Sequence, residues 1–381
     1  EGKSRQMKIV DIKVSEFEVK SNTQHFRLRK NGHLWEKYDF ESPVGRIHIL
    51  HVVTEEGLEG ISTVGDARYT TMSEEALSYL KYLVIGEDPT NRDYLFDMLS
   101  TATRMIFMPP GWFGAFDNCL WDIEGKIQSK SVSSLISHPD KPVKAYYNYR
   151  GPDLDSLIED AKTGIGKGFK VLKDHFAWTA EENIIAFESV RAAVGDEIVL
   201  LHDAAGCSYS LDEAIEVADQ LHQQGFEWFE EPLNDRKLGL LKKLCSVSEI
   251  PILGLETLMN DFVIMREWVR EGAVDIVRGN ARHGTTGILR IAKELEKVGI
   301  NIELNGPGGL FGHVHAQLVA GISNTSYYEY FPDGSRDAIG KEIGLLNPPI
   351  PLNGEVNLAE NPGWGYEFDW KYFKDQRVRV F

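Results

Sequence analysis

Apolar and polar residues follow one another along this chain with two different textures. Between residues 8 and 140, strand-like runs come first. Ile47-His48-Ile49-Leu50-His51-Val52-Val53 predicts a strand, and the turn-forming Glu56-Gly57-Leu58-Glu59-Gly60 predicts a reversal into the next. Apolar positions at helical spacing follow over residues 73–85 and 113–128. Strands grouped ahead of helices predict a separate α+β domain. From Val143 onward the texture becomes an unbroken strand–helix alternation. Short apolar strands are predicted at 143–145, 171–172, 198–201, 228–229, 252–255, 274–277, 300–304 and 326–330, with amphipathic helices such as 211–224 and 287–298 between them.

Eight such strands at intervals of about 25–30 residues describe a parallel barrel of the TIM type rather than an open sheet. An open doubly wound sheet usually carries a glycine-rich phosphate turn after its first strand, and none is present in the sequence.

Composition changes this picture only by exclusion. A chain of 381 residues, 42% hydrophobic and 26% charged, is long enough for two domains and a large core without disulfide support. Its three cysteines (Cys119, Cys207, Cys245) have no paired spacing, which excludes a disulfide framework or thiolate zinc site and fits a reducing cytoplasm. No run approaches the roughly 20 apolar residues that cross a bilayer. A net charge of −17 disfavours nucleic acid and anionic membranes as partners. A small acidic substrate stays open, because a bound divalent cation reverses the field locally. Residues 1–7 are polar, lack an apolar signal core, and read as a disordered or cloning-derived tail.

Candidate chemistry lies at the strand ends, where barrels of this kind gather their functional groups. Three consecutive strands end in an acid: Leu201-His202-Asp203, Trp228-Phe229-Glu230-Glu231-Pro232 and Gly254-Leu255-Glu256. The acids lie 27 and 26 residues apart, one strand–helix unit each, so Asp203, Glu230 and Glu256 are expected side by side. Three unneutralised carboxylates in a low-dielectric cleft repel one another, and a hard cation such as Mg2+ removes that conflict. No cysteine or histidine cluster competes for a softer metal. On the second strand, alternation places Lys173 and His175 on the side facing the mouth and Asp174 outward.

These motifs, Asp203, Phe229-Glu230-Glu231-Pro232 and Glu256, resemble the enolase superfamily, specifically its mandelate racemase and acid-sugar dehydratase branch with a muconate lactonizing-like barrel. The resemblance extends over nearly the whole chain. Pro109-Pro110-Gly111-Trp112-Phe113-Gly114-Ala115 with Leu120-Trp121-Asp122-Ile123-Glu124-Gly125-Lys126 is similar to the helix joining cap and barrel. Pro362-Gly363-Trp364-Gly365 is similar to the segment returning to the cap. The resemblance implies a modified TIM barrel, (β/α)7β, with an α+β N-terminal capping domain completed by the C-terminal segment. In numbers, 8–140 is the cap, 141–355 the barrel with the active site, and 356–381 the returning segment.

It also implies roles. Lys173 takes the first position of the family's Lys-x-Lys, and His175 the usual base position. Either takes the proton α to a substrate carboxylate held by Mg2+, and the ene-diolate is held by the metal and by Lys173 if that lysine stays charged. Glu329 matches the acid that hydrogen-bonds the substrate carboxylate. The second base of the racemase branch, a histidine oriented by an aspartate, has no counterpart: Asn280 and Asn305 stand at those positions, and asparagine takes up no proton. One base favours elimination, which makes the expected activity a hydro-lyase forming a 2-keto-3-deoxy acid from an acid sugar. A racemase, epimerase or cycloisomerase on the same scaffold is the alternative, and a non-catalytic binding homologue the second. Candidate substrate contacts are Asn280, Asn305, His283 in the loop after the sixth strand, Tyr147 with Tyr149 and Arg150 on the first strand, and Arg46 and Arg68 in two polar cap loops. His313 and His315 read as structural. The resemblance further implies a homo-oligomer.

Overall fold

The computed structural model describes residues 7–19, 27–30, 33–36, 45–64, 71–137, 141–204, 207, 209–258, 261–280, 282, 284–306, 309–332 and 340–381. The cap begins with β1 (Ile9–Val19), the hairpin β2 (Arg27–Lys30) and β3 (His33–Glu36), then β4 (Gly45–Thr54) and β5 (Glu59–Thr63). Three longer helices follow, α1 (Glu74–Val84), α2 (Arg92–Met105) and α3 (Gly114–Gln128), then the short α4 (Val132–Ile136). β1 pairs antiparallel with β4, and β4 with β5. Their apolar face, including Ile12, Val14, Leu50 and Val52, packs on Leu77, Leu80, Leu95, Leu99 and Phe116 of the helices. At Gly60 a Cβ would lie 2.2 Å from the Cys119 carbonyl, so only glycine lets α3 lie this close to β5.

The barrel then alternates strand and helix: β6 (Val143–Asn148), α5 (Leu154–Gly166), β7 (Val171–Asp174), α6 (Ala180–Val194), β8 (Val199–Asp203), α7 (Leu211–Gln223), β9 (Phe229–Glu230) and α8 (Leu238–Val247). It continues through β10 (Ile252–Gly254), a 3₁₀ turn (Glu256–Leu258), α9 (Phe262–Arg270), β11 (Ile276–Asn280), α10 (Thr285–Glu296), β12 (Asn301–Asn305), α11 (Gly309–Gly321) and β13 (Tyr328–Tyr330). Helices follow the first seven strands, which is the (β/α)7β order. The strands pair in parallel in the order β12-β11-β10-β9-β8-β7-β6-β13. Among the described residues no ladder joins β12 to β13. Instead the buried Glu303 carboxylate accepts the Ser326 and Tyr327 amides at 3.1 and 3.3 Å, and the Ile302 amide reaches the Asn324 carbonyl at 2.9 Å. A side chain thus bridges the seam of the curled sheet.

After the barrel come β14 (Glu355–Val356), antiparallel to β6, then α12 (Trp370–Gln376) and β15 (Arg379–Val380). β15 pairs with β1 and adds a strand to the cap sheet. Cap and barrel are joined through α3. Asn118 Oδ1 accepts the Thr285 amide at 3.0 Å and Asp117 Oδ2 the Thr286 amide at 2.7 Å, so α3 supplies the caps that the first turn of α10 lacks in its own sequence. Asp122 Oδ1 accepts the Trp364 amide at 3.0 Å while its Oδ2 accepts that of Ile61. Among the described residues no helix is long and apolar enough to cross a membrane.

Strand parity decides what the barrel interior contains. Tyr146, Val171, Leu201, Trp228 and Leu253 form an apolar floor inside it. Two residues further along the same strands, the inward positions become Asn148, Lys173, Asp203 and Glu230, and β11 and β13 add Arg278 and Glu329. The polar layer therefore sits at the C-terminal ends of the strands, on a floor that excludes water from below.

Candidate active site

Lys173 is the centre of this layer. Its ammonium is 1% exposed and lies 3.1 Å from Asp203 Oδ2, 3.0 Å from Glu230 Oε2 and 3.1 Å from Glu329 Oε1. Burial pulls its pKa down, but Glu230, Glu329, Tyr146 and Asp203 more than reverse this and hold it well above the ordinary lysine range. Lys173 is thus a fixed cation here. His175, one position beyond the end of β7, keeps 39% of its side chain in solvent and places Nε2 3.2 Å from Asp203 Oδ2. Its ring leans on Phe331 at 5.7 Å between centroids.

Glu230 is held from the other side by Arg278, whose Nε donates to Glu230 Oε1 at 2.9 Å with Nη2 also bonded to that oxygen. Burial pushes the Glu230 carboxyl up, countered by Arg278 and Lys173 and reinforced by Asp203. Glu256 faces Arg282, 3.6 Å from its Nη2. The neighbouring Glu231 has one carboxylate oxygen, Oε1, buried with no hydrogen-bond partner among the described residues. Its carboxyl is driven well above the usual range by burial first, then by Glu256, Asp203, Asp235 and Glu230. All three strand-end acids therefore act on the Glu231 carboxyl.

The backbone at these strand ends is strained. Glu231 and Leu255 adopt φ of +48° and +83°, a region that costs a side-chain-bearing residue about 1–3 kcal/mol. Asp235 stabilises the second of these turns. Its Oδ1 accepts the Leu255 amide at 2.8 Å, and its Oδ2 accepts the Thr257 amide and hydroxyl at 2.9 and 2.6 Å. The strand accordingly stops at Gly254, and Glu256 opens a 3₁₀ turn instead of ending the strand.

Asp203, Glu230 and Glu256 stand on adjacent strand ends, as their spacing predicts, yet their carboxylates do not form a ready cage. Among the described residues no three acidic, histidine or cysteine side chains converge as a metal site. Lys173 contacts Asp203 and Glu230, and Arg278 contacts Glu230, so two of the three acids already face a cationic side chain. The donor chemistry nevertheless fits a hard divalent ion. Carboxylate oxygens are the donors such an ion prefers, and the buried Glu231 Oε1, without a hydrogen-bond partner among the described residues, is a polar atom still unsatisfied beside them.

Asn280 and Asn305 meet across β11 and β12, Asn280 Nδ2 donating to Asn305 Oδ1. The orientation is fixed by the Arg282 amide, which donates to Asn280 Oδ1 at 2.9 Å. Asn305 is thereby left with its Nδ2 as a donor, on strands across the barrel from His175. Tyr147 corrects the expected parity. Its ring packs outward against α5, with the hydroxyl donating to Asp160 Oδ1 at 3.0 Å, and Tyr149 also lies in the layer between strands and helices. The inward residues of β6 are Tyr146 and Asn148. Arg46 lies on β4 of the cap sheet, with its guanidinium 3.8 Å from the Glu16 carboxylate. Arg68 and His283 lie outside the described residues. His313 and His315 are buried, and desolvation pushes both down to about 4, so they stay neutral.

Sequence reasoning missed Arg278, Tyr146 and the buried pair Asp174–His202. An arginine at an inward strand position flanked by apolar residues was the available signal for the first. Tyr146, whose ring lies 5.1 Å from the Lys173 ammonium, is masked by a run of buried residues on both faces of β6.

Comparison with known proteins follows the same lines. Residues 44–137 match the family described as mandelate racemase / muconate lactonizing enzyme, N-terminal domain, and residues 156–372 match the enolase C-terminal domain-like family. The chain is 29% identical over 316 residues to arabinonate dehydratase of Saccharolobus solfataricus, covering 79% of this chain and 82% of that protein. It is 28% identical over 343 residues to D-galactarolactone cycloisomerase of Agrobacterium fabrum, covering 85% and 89%. The structure matches that of D-glucarate dehydratase from Agrobacterium tumefaciens complexed with magnesium, with a TM-score of 0.82, 26% identity, and 98% and 100% of the two chains covered.

Proposed function

The chain belongs to the mandelate racemase / muconate lactonizing enzyme family of the enolase superfamily, and from that premise we propose that it removes the proton α to the carboxylate of an acid sugar and expels the β-hydroxyl, yielding a 2-keto-3-deoxy acid. The observation that carries this reading is the Lys173 ammonium among Asp203, Glu230 and Glu329, with His175 beside it at the mouth.

Asp203, Glu230 and Glu256 would hold Mg2+, and the similar D-glucarate dehydratase structure is itself complexed with magnesium. When bound, the ion supplies positive charge that acidifies the α C–H of a carboxylate substrate. The chain's own groups do the rest. His175, more exposed at the mouth than Lys173, takes the α proton. Lys173, held cationic by three acids, stabilises the negative charge that develops on the substrate carboxylate. Glu329 fixes that lysine from below. His175, now protonated, returns its proton to the departing hydroxyl on the same face.

The far side of the mouth offers an amide donor in Asn305 where a second base would be needed to protonate the other face. That favours elimination over racemisation. The Agrobacterium fabrum relative keeps a cycloisomerase reading in view, since it needs only a different fate for the same ene-diolate.

A panel of arabinonate, gluconate, galactonate, rhamnonate and glucarate, incubated with Mg2+ in D2O, tests the proposal. We expect at least one acid to lose water and give a 2-keto-3-deoxy acid, with the reaction stopped by EDTA. Deuterium entering at the α carbon with no loss of water would replace dehydration by isomerisation. No exchange with any of these or with other α-hydroxy acids would leave a binding protein.

A further inference from the structure

Behind the mouth, on the outer face of β7 and β8, lies a second pair of ionisable groups that the proposed chemistry does not use. Asp174 and His202 are both 0% exposed, are register partners in the β7–β8 ladder, and meet at 2.6 Å through Oδ1 and Nδ1. The His202 ring is enclosed by Phe187, 4.7 Å away edge-on, and Phe229, stacked at 5.4 Å. Its Nε2 faces the Tyr209 hydroxyl at 3.4 Å, and that hydroxyl accepts from Asn183 Nδ2 at 2.6 Å. Nδ1 therefore carries the proton and donates to Asp174, while Nε2 accepts.

The same Asp174 Oδ1 accepts the Phe176 amide at 3.0 Å, closing a turn around His175. The Phe176 carbonyl in turn accepts the Cys207 thiol at 2.8 Å. Both chain neighbours of His175 are thus pinned on the outer face, and His175 is left to project into the mouth. The pair is also adjacent in sequence to the inner-face partners: Lys173 precedes Asp174, and Asp203 follows His202. Packing alone does not account for a buried polar pair in this place, since apolar side chains of similar volume commonly stabilise a core as well or better.

We propose that Asp174–His202 is a positioning pair that aims His175 at the substrate without touching it. This rests on the reading of His175 as the base. The test uses the full-length protein with Mg2+ and, as probe, whichever acid of the panel above exchanges its α proton fastest. Asp174→Ala and His202→Phe are expected to lower kcat for exchange by about 10–100-fold, with KM and the Mg2+ affinity measured by calorimetry changed less than about twofold. His202→Asn, which keeps a donor at the Nδ1 position, is expected to recover most of the rate. In a His175→Asn background, Asp174→Ala is expected to lower the rate no further, because both changes remove the same group from the reaction.

Crystal structures of the variants read the placement directly: the His175–Asp203 contact, 3.2 Å in the native chain, is expected to open beyond about 4 Å. Asp174→Asn, which keeps the shape, carries the comparison if the alanine variant does not fold. Additive losses with His175→Asn, or an unmoved His175 in the variant structure, would overturn the positioning role. Full exchange in the single His175→Asn variant would instead overturn the base assignment.

Discussion

In a Lys173→Met variant, metal-free protein is expected to lose about 3–5 kcal/mol of stability, the usual consequence of removing one partner from a buried ion cluster. Three carboxylates surround that ammonium at 3.0–3.1 Å, and without it Arg278 is the cationic side chain left on Glu230 among the described residues. Methionine fills much of the same volume, so the loss reports charge rather than a cavity. Mg2+ is then expected to raise the variant's unfolding midpoint more than the wild type's, because ligand binding to the native state stabilises it in proportion to affinity and the variant holds more unneutralised acid. Proton exchange should fall by about 10²–10³-fold even at saturating Mg2+, the effect of deleting one preorganised charge at a developing anion. Thermal unfolding with and without Mg2+ measures the first two expectations. A variant that melts like the wild type and ignores Mg2+ would mean that the acids are not competing for a cation.

Replacing His175 with asparagine is expected to do the opposite: leave the fold intact and remove the chemistry. The side chain is 39% exposed, and its polar contact is with Asp203. Removing a positioned acid–base group lowers rates by about 10²–10⁴-fold, and the Mg2+ affinity should stay as it was. Exchange kinetics in D2O, beside a calorimetric Mg2+ titration, separate these effects. If exchange persists at the native rate, the base is Lys173, and the Lys173→Met variant becomes the inactive one.

Much of this site was legible in the chain because barrels write their sites at regular intervals. The spacing of Asp203, Glu230 and Glu256 placed them on successive strands, and the parity of Lys173-Asp174-His175 assigned two residues inward and one outward. Parity failed on β6. There the residues from Ala145 to Tyr149 are all buried, so a parallel strand covered on both faces shows no alternation to read, and Tyr147 was assigned to the wrong side. Backbone conformation was also invisible: nothing in Gly254-Leu255-Glu256 announces the left-handed Leu255 that ends β10 early. The Asp174–His202 contact joins residues 28 apart across a ladder, and only the register of β7 on β8 reveals it.

The account stands on one arrangement, a divalent ion held by three strand-end acids next to Lys173 and His175. Crystals soaked in Mn2+, whose anomalous signal locates it in place of Mg2+, test this most directly. The account predicts a single peak within about 2.0–2.4 Å of oxygens from Asp203, Glu230 and Glu256, with Glu230 giving up part of its hold on Lys173 or Arg278. A peak elsewhere, or one bound by only one of the three acids, would contradict it.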